Sequence, residues 1–273
     1  MLNLLRMDLY RMLKFKRTWV LLIIALVGWF GMSFVTHVAY EDGLKLLSQT
    51  GSTRLLTDMQ VPGAAIVGKH ISFIYLLTEQ FHGQILLILI AIFAVFFAGI
   101  EQSTGFIKGI AGQAPFRGAL VLSKLIATAI FVLGMFIVSS IGMGIGCQIS
   151  FGFVEWGGFA AGIPALGLQF LLHVAFASTM IMLVVLLRSA GISIVIGILA
   201  AAGTFNLVNL PVHALIKGAK DFNISNYLTS GNISLMDSMH WGSANTQALI
   251  VGILYLVIST VIGMVVMRAR DVV

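Results

Sequence analysis

Residues 63–70 come closest to a catalytic motif, because the letters GAAIVGKH match most of a phosphate-binding loop. Such a loop needs a serine or threonine after its lysine to hold magnesium, and it lies between a buried strand and a helix. Here His70 stands in place of the hydroxyl residue, and Pro62 precedes the first glycine. We therefore expect that this chain binds neither ATP nor Mg²⁺ itself and holds no other cofactor.

A serine nucleophile with a histidine base, the chemistry of an intramembrane protease, would have to come from Ser193 and His213. These residues are predicted at opposite ends of one hydrophobic span, so about 20 helical residues and roughly 30 Å separate them. A nucleophile and its base need hydrogen-bond contact. The sequence also lacks a His-Glu-x-x-His zinc motif, so we expect a protein without catalytic residues of its own.

Seven polar side chains within hydrophobic segments are candidates for lining a substrate path, because burying polar groups in a bilayer is costly. Gln169 and His173 are four residues apart and share one helix face. The alternative is that such groups form hydrogen bonds between helices and hold them together. Both interpretations stay open for the whole set, which comprises Glu79, His82, Gln84, Gln169, His173, Asn206 and Asn209.

The composition indicates that membrane-spanning helices position these residues. Of the 273 residues, 59% are hydrophobic and only 10% are charged, whereas soluble domains carry roughly 25% charged residues. The fold class is therefore all-α and integral to the membrane. The net charge of +6 fits contact with anionic lipid headgroups; nucleic acid is not an expected partner, because no basic run with interleaved aromatics occurs. A single cysteine, Cys147, excludes an intramolecular disulfide and a thiolate metal cluster.

Hydrophobic segments predict a single transmembrane domain over residues 1–273, with six spans at 18–37, 71–99, 119–149, 159–187, 190–210 and 244–267. The second segment is overlong, so its helix should enter the bilayer near Phe81. Residues 1–16 are predicted to form an amphipathic helix in the headgroup plane, with Leu5 and Leu9 on its apolar face. Residues 38–70 and 212–243 are polar and are predicted as external loops.

The distribution of basic residues predicts the orientation of the chain. With six spans, 11 of the 16 Lys and Arg fall on the side of the two termini and five on the other side. Basic residues accumulate on the cytoplasmic side of membrane proteins. We therefore expect both termini in the cytoplasm.

The connection between the second and third spans is the most informative segment. It is longer than a simple connector, and Gly105 and Pro115 bound a stretch that could form a short helix over 102–114. A short cytoplasmic helix joined rigidly to two spans can transmit a displacement from a docked partner.

This segment resembles the type-2 permeases of ABC transporters, the exporter class. In that family a glutamate at the inner end of the second span is followed by a glycine, a coupling helix, a Pro-x-Arg motif and a lysine early in the third span. The matching residues, in type and order, are Glu101, Gly105, Pro115, Arg117 and Lys124. Residues 4–11 also resemble the interfacial helix of the Gram-positive members. Phe106 departs from the pattern, because a threonine often follows the glycine.

The resemblance implies a permease that dimerises, alone or with a sister permease, and binds two separate ABC ATPase subunits that carry ATP and Mg²⁺. The residues that would couple it to the ATPase are Glu101, Gly105, Lys108, Pro115, Arg117 and Lys124. Residues 212–243 would include the family's short re-entrant helices. The implied substrate is an amphipathic peptide, such as an antimicrobial peptide, or a lipid-like molecule moved across a bacterial plasma membrane. The residues alone leave open an ion-driven secondary transporter or channel, and a non-transporting sensor or scaffold.

Overall fold

The computed structural model describes residues 2–50, 72–103, 116–152, 154–215, 222–238 and 240–269. Within these ranges every regular element is a helix, so the all-α prediction is confirmed for the part of the chain that is described. The only pairing of extended backbone there is an isolated bridge between Ser72 and Glu155.

Helix α1 (Leu2–Lys14) lies within the range 1–16, and its place in the headgroup plane stays a prediction. Its Met12 is buried and its Leu5 and Leu9 pack against the core, as the amphipathic pattern predicts. A single residue, Phe15, separates helix α1 from helix α2 (Lys16–Thr50). Thr18 Oγ1 donates to the carbonyl of Met12 at 2.7 Å, which satisfies one of the carbonyls exposed at the end of α1.

Helix α2 extends well beyond the predicted first span. It has 35 residues, about 50 Å of helix, whereas the hydrocarbon core of a bilayer is about 30 Å thick. Residues 38–50, the start of the segment predicted to be external, continue the helix beyond the predicted span. Polar residues at helical spacing continue the helix there: Lys45 pairs with Asp42 at 3.1 Å and His37 lies 3.7 Å from Glu41. The remainder of the predicted loop, 51–70, lies outside the described residues.

The second hydrophobic segment is bent rather than continuous. Helix α3 (Phe73–Phe81) and helix α4 (Gln84–Ser103) meet at 56° across His82 and Gly83. The amides of these two residues bond to the carbonyls of Glu79 and Gln80 at 3.2 and 3.1 Å, which tightens the last turn of α3. The break falls where the sequence predicted entry into the bilayer near Phe81.

The third and fourth hydrophobic segments form the long helices α5 (Gly118–Ser150) and α6 (Phe159–Leu187). Helix α5 packs closely against α2 because Gly142 and Gly146 lack side chains. A Cβ at Gly142 would overlap the carbonyl of Leu26, and one at Gly146 would overlap Ser33. The same helix packs on α4, where Phe93 stacks on Phe131 with ring centroids 3.6 Å apart.

The fifth predicted span, 190–210, is also bent. Helix α7 (Ala190–Ala201) is followed by a 3₁₀ turn (Thr204–Val208) and helix α8 (Asn209–Leu215), with a bend of 71°. Gly203 permits the bend because it adopts φ 68, a left-handed conformation that favours glycine. A second 3₁₀ turn (Ile224–Tyr227), helix α9 (Thr229–Leu235) and helix α10 (Ser243–Ala269) complete the fold.

The segment 212–243, predicted as an external loop, is therefore largely helical where it is described. Its short helices were expected from the family resemblance but not from composition. Polar residues dominate this segment, and their hydrogen bonds to neighbouring backbone, described below, let short helical pieces pack together.

Four described helices are long and apolar enough to cross a bilayer, namely Lys16–Gln49, Gly118–Ser150, Gly162–Leu187 and Ser243–Ala269. The two bent pairs raise the number to six if each pair counts as one span. Large apolar side chains of α2 and α10, such as Val27 and Val257, point outward, where lipid would contact them. This is the architecture of a multi-pass membrane protein.

The described charges divide between two ends of the helix bundle. At the basic end lie α1, the end of α4, the start of α5, the α6–α7 junction and the end of α10. Nine of the ten described Lys and Arg are there: Arg6, Arg11, Lys14, Lys16, Arg17, Arg117, Lys124, Arg188 and Arg268. The opposite end has Lys45 and five carboxylate residues, Glu41, Asp42, Glu79, Glu155 and Asp237.

Candidate functional site

A buried ion pair fixes helix α1 at the basic end. Asp8 is 1% exposed, and one of its oxygens, Oδ1, lies 3.4 Å from Lys124 Nζ, which belongs to a side chain 5% exposed. Ser123 Oγ donates to Asp8 Oδ2 at 2.6 Å. A buried carboxylate is tolerated only when it is paired and hydrogen-bonded. These two contacts therefore hold α1 on the first turns of α5.

Lys124 also contacts helix α4. Its Nζ lies 5.2 Å from the centroid of the Phe97 ring, within the range of a cation–π interaction. The ammonium thus lies between α1, α4 and α5 and does not reach the protein surface. Any contribution of Lys124 to coupling with an ATPase would run through these helices rather than through direct contact.

The other predicted coupling residues lie around the connection between α4 and α5. Gly105, Lys108 and Pro115, with most of the predicted helix 102–114, lie outside the described residues. Glu101 falls in the last turn of α4, and Arg117 occupies the position before α5, where its carbonyl accepts from the Leu120 amide at 3.2 Å. Both ends of the connection therefore lie at the basic end, beside α1.

At the opposite end, Glu79 joins helix α3 to the segment before α10. Its Oε1 accepts a hydrogen bond from Ser238 Oγ at 2.6 Å, and His82 Nδ1 lies 3.8 Å from the same oxygen. The Glu79 side chain is 43% exposed. This contact links the bend of the second hydrophobic segment to the entry of the last span.

Gln169 and His173 are fully buried on α6. Gln169 Nε2 donates to the carbonyl of Thr78 on α3 at 2.8 Å. His173 Nδ1 lies 2.7 Å from the carbonyl of Gln169, and since a carbonyl only accepts, Nδ1 carries the proton. Gln169 Oε1 and His173 Nε2 have no partner among the described residues. The Gln169 side chain thus joins α6 to α3, whereas the His173 hydrogen bond stays within α6. Each side chain also has a buried acceptor without a partner among the described residues.

Gln84 connects the two bends to each other. In the amide orientation that satisfies its hydrogen bonds, it donates to the carbonyls of Ala201 and Ala202 at 3.2 and 3.1 Å. Those carbonyls belong to the last residue of α7 and to the residue after it, immediately before the bend at Gly203. The side chain of Gln84 therefore joins the start of α4 to the end of α7 by hydrogen bonds.

Asn206 and Asn209 hold the second 3₁₀ turn against the second bend. Asn206 Oδ1 accepts from Ser225 Oγ at 2.5 Å. Asn209 donates to Asn223 Oδ1 at 3.0 Å and accepts from the Ile224 amide at 2.9 Å. Both side chains are engaged in contacts within the protein, as the structural alternative for this set proposes. A place on a substrate path stays a prediction for all seven candidates.

Two asparagines with central structural roles were missed from sequence. Asn232 Nδ2 contacts the carbonyls of three residues, Ser225, Asn226 and Leu228, at 3.3, 2.9 and 2.9 Å. Asn245 exchanges two hydrogen bonds with the backbone of Asp237, at 2.7 and 2.9 Å. Both are buried. Asn232 lies in a polar segment and Asn245 at the edge of the last predicted span, so neither position indicated a buried side chain.

Asp8 was also missed, although a signal for it existed. It is the one acidic residue of α1 and lies at helical spacing from Leu5, Leu9 and Met12, on the face that packs on the core. Lys124 is likewise a lone charge in an apolar helix. A lone acid on an apolar helix face and a lone base in a span are a plausible pair, because each needs a counter-charge.

Ser193, the nucleophile of the protease alternative, makes a local hydrogen bond to the backbone, and the side chain of His213 lies outside the described part of the structure. Ser193 Oγ donates to the carbonyl of Ser189 at 2.8 Å in the first turn of α7. The phosphate-loop-like stretch 63–70 lies outside the described residues. Within the described ranges, His, Cys, Asp and Glu form no group of three or more that could hold a metal ion.

No protein-family model matches the sequence, and no curated protein matches it either. The contacts within the chain, the distribution of its charges and the apolar length of its helices therefore carry the functional interpretation. Two regions stand out in these terms: the basic end, where α1, α4 and α5 converge on a buried ion pair, and the opposite end, where both bends meet.

Proposed function

We propose that this chain is the membrane-spanning permease subunit of an ATP-driven ABC exporter. Two copies of a separate ATPase subunit supply ATP hydrolysis, and a second permease, identical or a sister chain, completes the transporter. The chain crosses a bacterial plasma membrane six times, with each bent pair counted as one span. Its substrate is an amphipathic peptide or a lipid-like molecule. The observation that carries the proposal is the convergence of α1, the end of α4 and the start of α5 at the basic end.

The orientation of the permease follows from the charges. Nine of the ten described Lys and Arg lie at the basic end, and cytoplasmic surfaces of membrane proteins carry the excess of basic residues. This excess supports our proposal that the basic end faces the cytoplasm, with both termini. Helix α1 then lies along the inner membrane surface, and its charged face contacts the headgroups.

The coupling mechanism follows from the two helices that the 104–115 connection joins. A force on this connection acts directly on the end of α4 and the start of α5. The Asp8–Lys124 pair passes the same force to α1, so the three helices move as one unit. Coupling over such distances is carried by packed helices that have two discrete arrangements.

Helix α4 links this input to the opposite end. Its 20 residues span about 30 Å, and its first residue, Gln84, is fastened to the end of α7 beside the second bend. A small displacement of α4 at the cytoplasmic side therefore shifts both bends together. We propose that these bends open and close the outer side of the substrate path.

The substrate class is supported by the family resemblance and by the apolar outward faces of α2 and α10. A molecule with an apolar part can approach the path from the bilayer, whereas a fully polar solute cannot. An amphipathic peptide or a lipid-like molecule meets this condition.

Co-purification tests the proposal. The chain is expressed with its genomic neighbours, and an ATPase is expected to co-purify with it in a nucleotide-hydrolysing complex. Reversal of charge in Glu101→Lys should uncouple hydrolysis from transport, because this residue borders the connection. Glu41→Lys, the same change at the opposite end, is the matched control and should retain coupling. Failure to recover an ATPase, together with normal transport by Glu101→Lys, contradicts the proposal.

A further inference from the structure

A cavity lies between α1 and the end of α4 at the basic end. It has a volume of about 190 Å³, and it is lined by Tyr10, Arg11, Lys14, Phe15, Phe97 and Ile100. One side of it thus carries two cations three residues apart on α1, and the other side carries apolar side chains of α4. A ligand that fills it must be anionic at one end and apolar at the other.

We propose that this cavity binds the headgroup of an anionic phospholipid. Arg11 and Lys14 contact the phosphate, and the first carbons of the lipid chains lie against Phe97 and Ile100. Arginine offers five N–H donors in a planar fork that matches phosphate geometry, so a contact within the protein leaves further donors for a lipid. Basic pockets between membrane helices on the cytoplasmic side suit such headgroups.

The one carboxylate at the basic end whose side chain is described, Asp8, pairs with Lys124 inside the protein. Arg17 is directed elsewhere, with its guanidinium carbon 4.2 Å from the centroid of the Phe96 ring. Arg11 and Lys14 are therefore the cations that line the cavity, and a contact of Arg11 within the protein leaves further guanidinium donors for a ligand.

Two contacts hold α1, which forms one side of the cavity, in its position. The helix is anchored on α5 by the Asp8–Lys124 pair and at its end by the Thr18–Met12 hydrogen bond. A bound lipid would add a third attachment, between α1 and α4. This proposal requires only that the basic end faces a membrane surface, so it stands or falls independently of any ATPase.

Native mass spectrometry of the purified full chain tests the proposal. The protein is exposed to mixed micelles that contain phosphatidylglycerol or phosphatidylcholine, and retention of each lipid is measured. We expect preferential retention of phosphatidylglycerol. The double variant Arg11→Gln with Lys14→Gln should lose about fivefold in affinity for each cation removed, or about 25-fold in total.

The matched control removes two cations of the same end that do not line the cavity, in Arg6→Gln with Lys16→Gln. Both positions are exposed, and we expect a clearly smaller loss of phosphatidylglycerol than in the pocket variant. Equal losses in the two double variants would show diffuse surface attraction and overturn the proposal, as would equal retention of the two lipids by the native chain.

Two further measurements keep the outcome unambiguous. Excess inorganic phosphate should leave the bound phosphatidylglycerol in place; displacement by phosphate alone would make a free anion the ligand and overturn the assignment to lipid. If thermal melting shows that the double variant is unfolded, the single variant Lys14→Gln replaces it, because Lys14 is exposed. That variant should show the fivefold loss of one cation.

Discussion

The two ends of the bundle are held by different kinds of interaction. At the basic end a buried ion pair and a cation–π contact hold α1, α4 and α5 together around Lys124. At the opposite end the attachments are mostly neutral hydrogen bonds from asparagine, glutamine and serine, such as those of Asn232 and Gln84. Removing one partner of a buried charge pair costs about 3–5 kcal/mol of stability. A neutral hydrogen bond contributes only roughly 0.5–1.5 kcal/mol.

This difference matches the proposed division of labour. The Asp8–Lys124 ion pair holds the three helices of the basic end rigidly together, because breaking it leaves an uncompensated charge in the interior. A force on one of these helices is therefore transmitted to the other two. Many small attachments permit the short helices and the two bends to rearrange stepwise, because each bond can be exchanged for another at low cost. The comparison predicts that single substitutions at the basic end will have larger effects than those at the opposite end.

The largest effect is expected from Asp8→Ala, which leaves the Lys124 ammonium buried without its partner. Loss of one member of a buried pair costs about 3–5 kcal/mol, and we expect this loss in the free energy of unfolding, measured by denaturant titration in detergent. The double variant Asp8→Leu with Lys124→Met should recover most of it, because both charges are then gone. A loss below 1 kcal/mol would mean that the pair is solvated and that the basic end is not rigidly anchored.

The next effect is expected from Asn232→Leu at the opposite end. The substitution keeps the approximate size of the side chain but removes the Nδ2 donor, which contacts three carbonyls. We expect a loss of about 1–3 kcal/mol in the free energy of unfolding, the cost of leaving buried acceptors unsatisfied. Asn226→Leu is the matched control, since Asn226 contributes its backbone carbonyl to this contact and its substitution should leave stability nearly unchanged. Equal losses in the two variants would contradict the assigned role.

Much of the fold could be predicted from sequence, because the change from apolar to polar residues marks the ends of the long membrane-spanning helices. The ranges 119–149 and 159–187 agree with α5 and α6 to within one residue. The bends at His82–Gly83 and Gly203 were not predicted, because hydropathy locates an apolar segment but does not show where the helix within it changes direction. The extension of α2 to Thr50 was missed because a helix beyond the membrane can be as polar as a loop.

The candidate residues show where prediction from sequence reaches its limit. Polarity within apolar segments singled out Gln169 and Asn209 as candidates, and both make hydrogen bonds within the protein. It could not show that Gln84 contacts Ala201, because these residues are more than a hundred positions apart in the chain. Such pairs depend on how the helices pack, and no local pattern encodes that packing.

A smaller effect is expected from Ser238→Ala, which removes the hydrogen bond to Glu79. Because Glu79 is partly exposed, water can replace the lost donor, and we expect a loss of only about 0.5–1.5 kcal/mol in the free energy of unfolding. Ser234→Ala is the control, since Ser234 Oγ bonds only locally, to the carbonyl of Gly231 at 2.8 Å. A loss as large as that of Asp8→Ala would remove the contrast between the two ends.

The smallest effect on stability is expected from substitutions that report orientation, and these decide which end faces the cytoplasm. Cys147 is buried, so Cys147→Ala provides a background without reactive thiols. In that background, Phe116→Cys at the basic end and Lys45→Cys at the opposite end place one exposed thiol on each side. A membrane-impermeant maleimide should label Lys45→Cys in intact cells and Phe116→Cys only after permeabilisation. The reverse pattern would place the basic end outside, and an ATPase could then not act on the 104–115 connection.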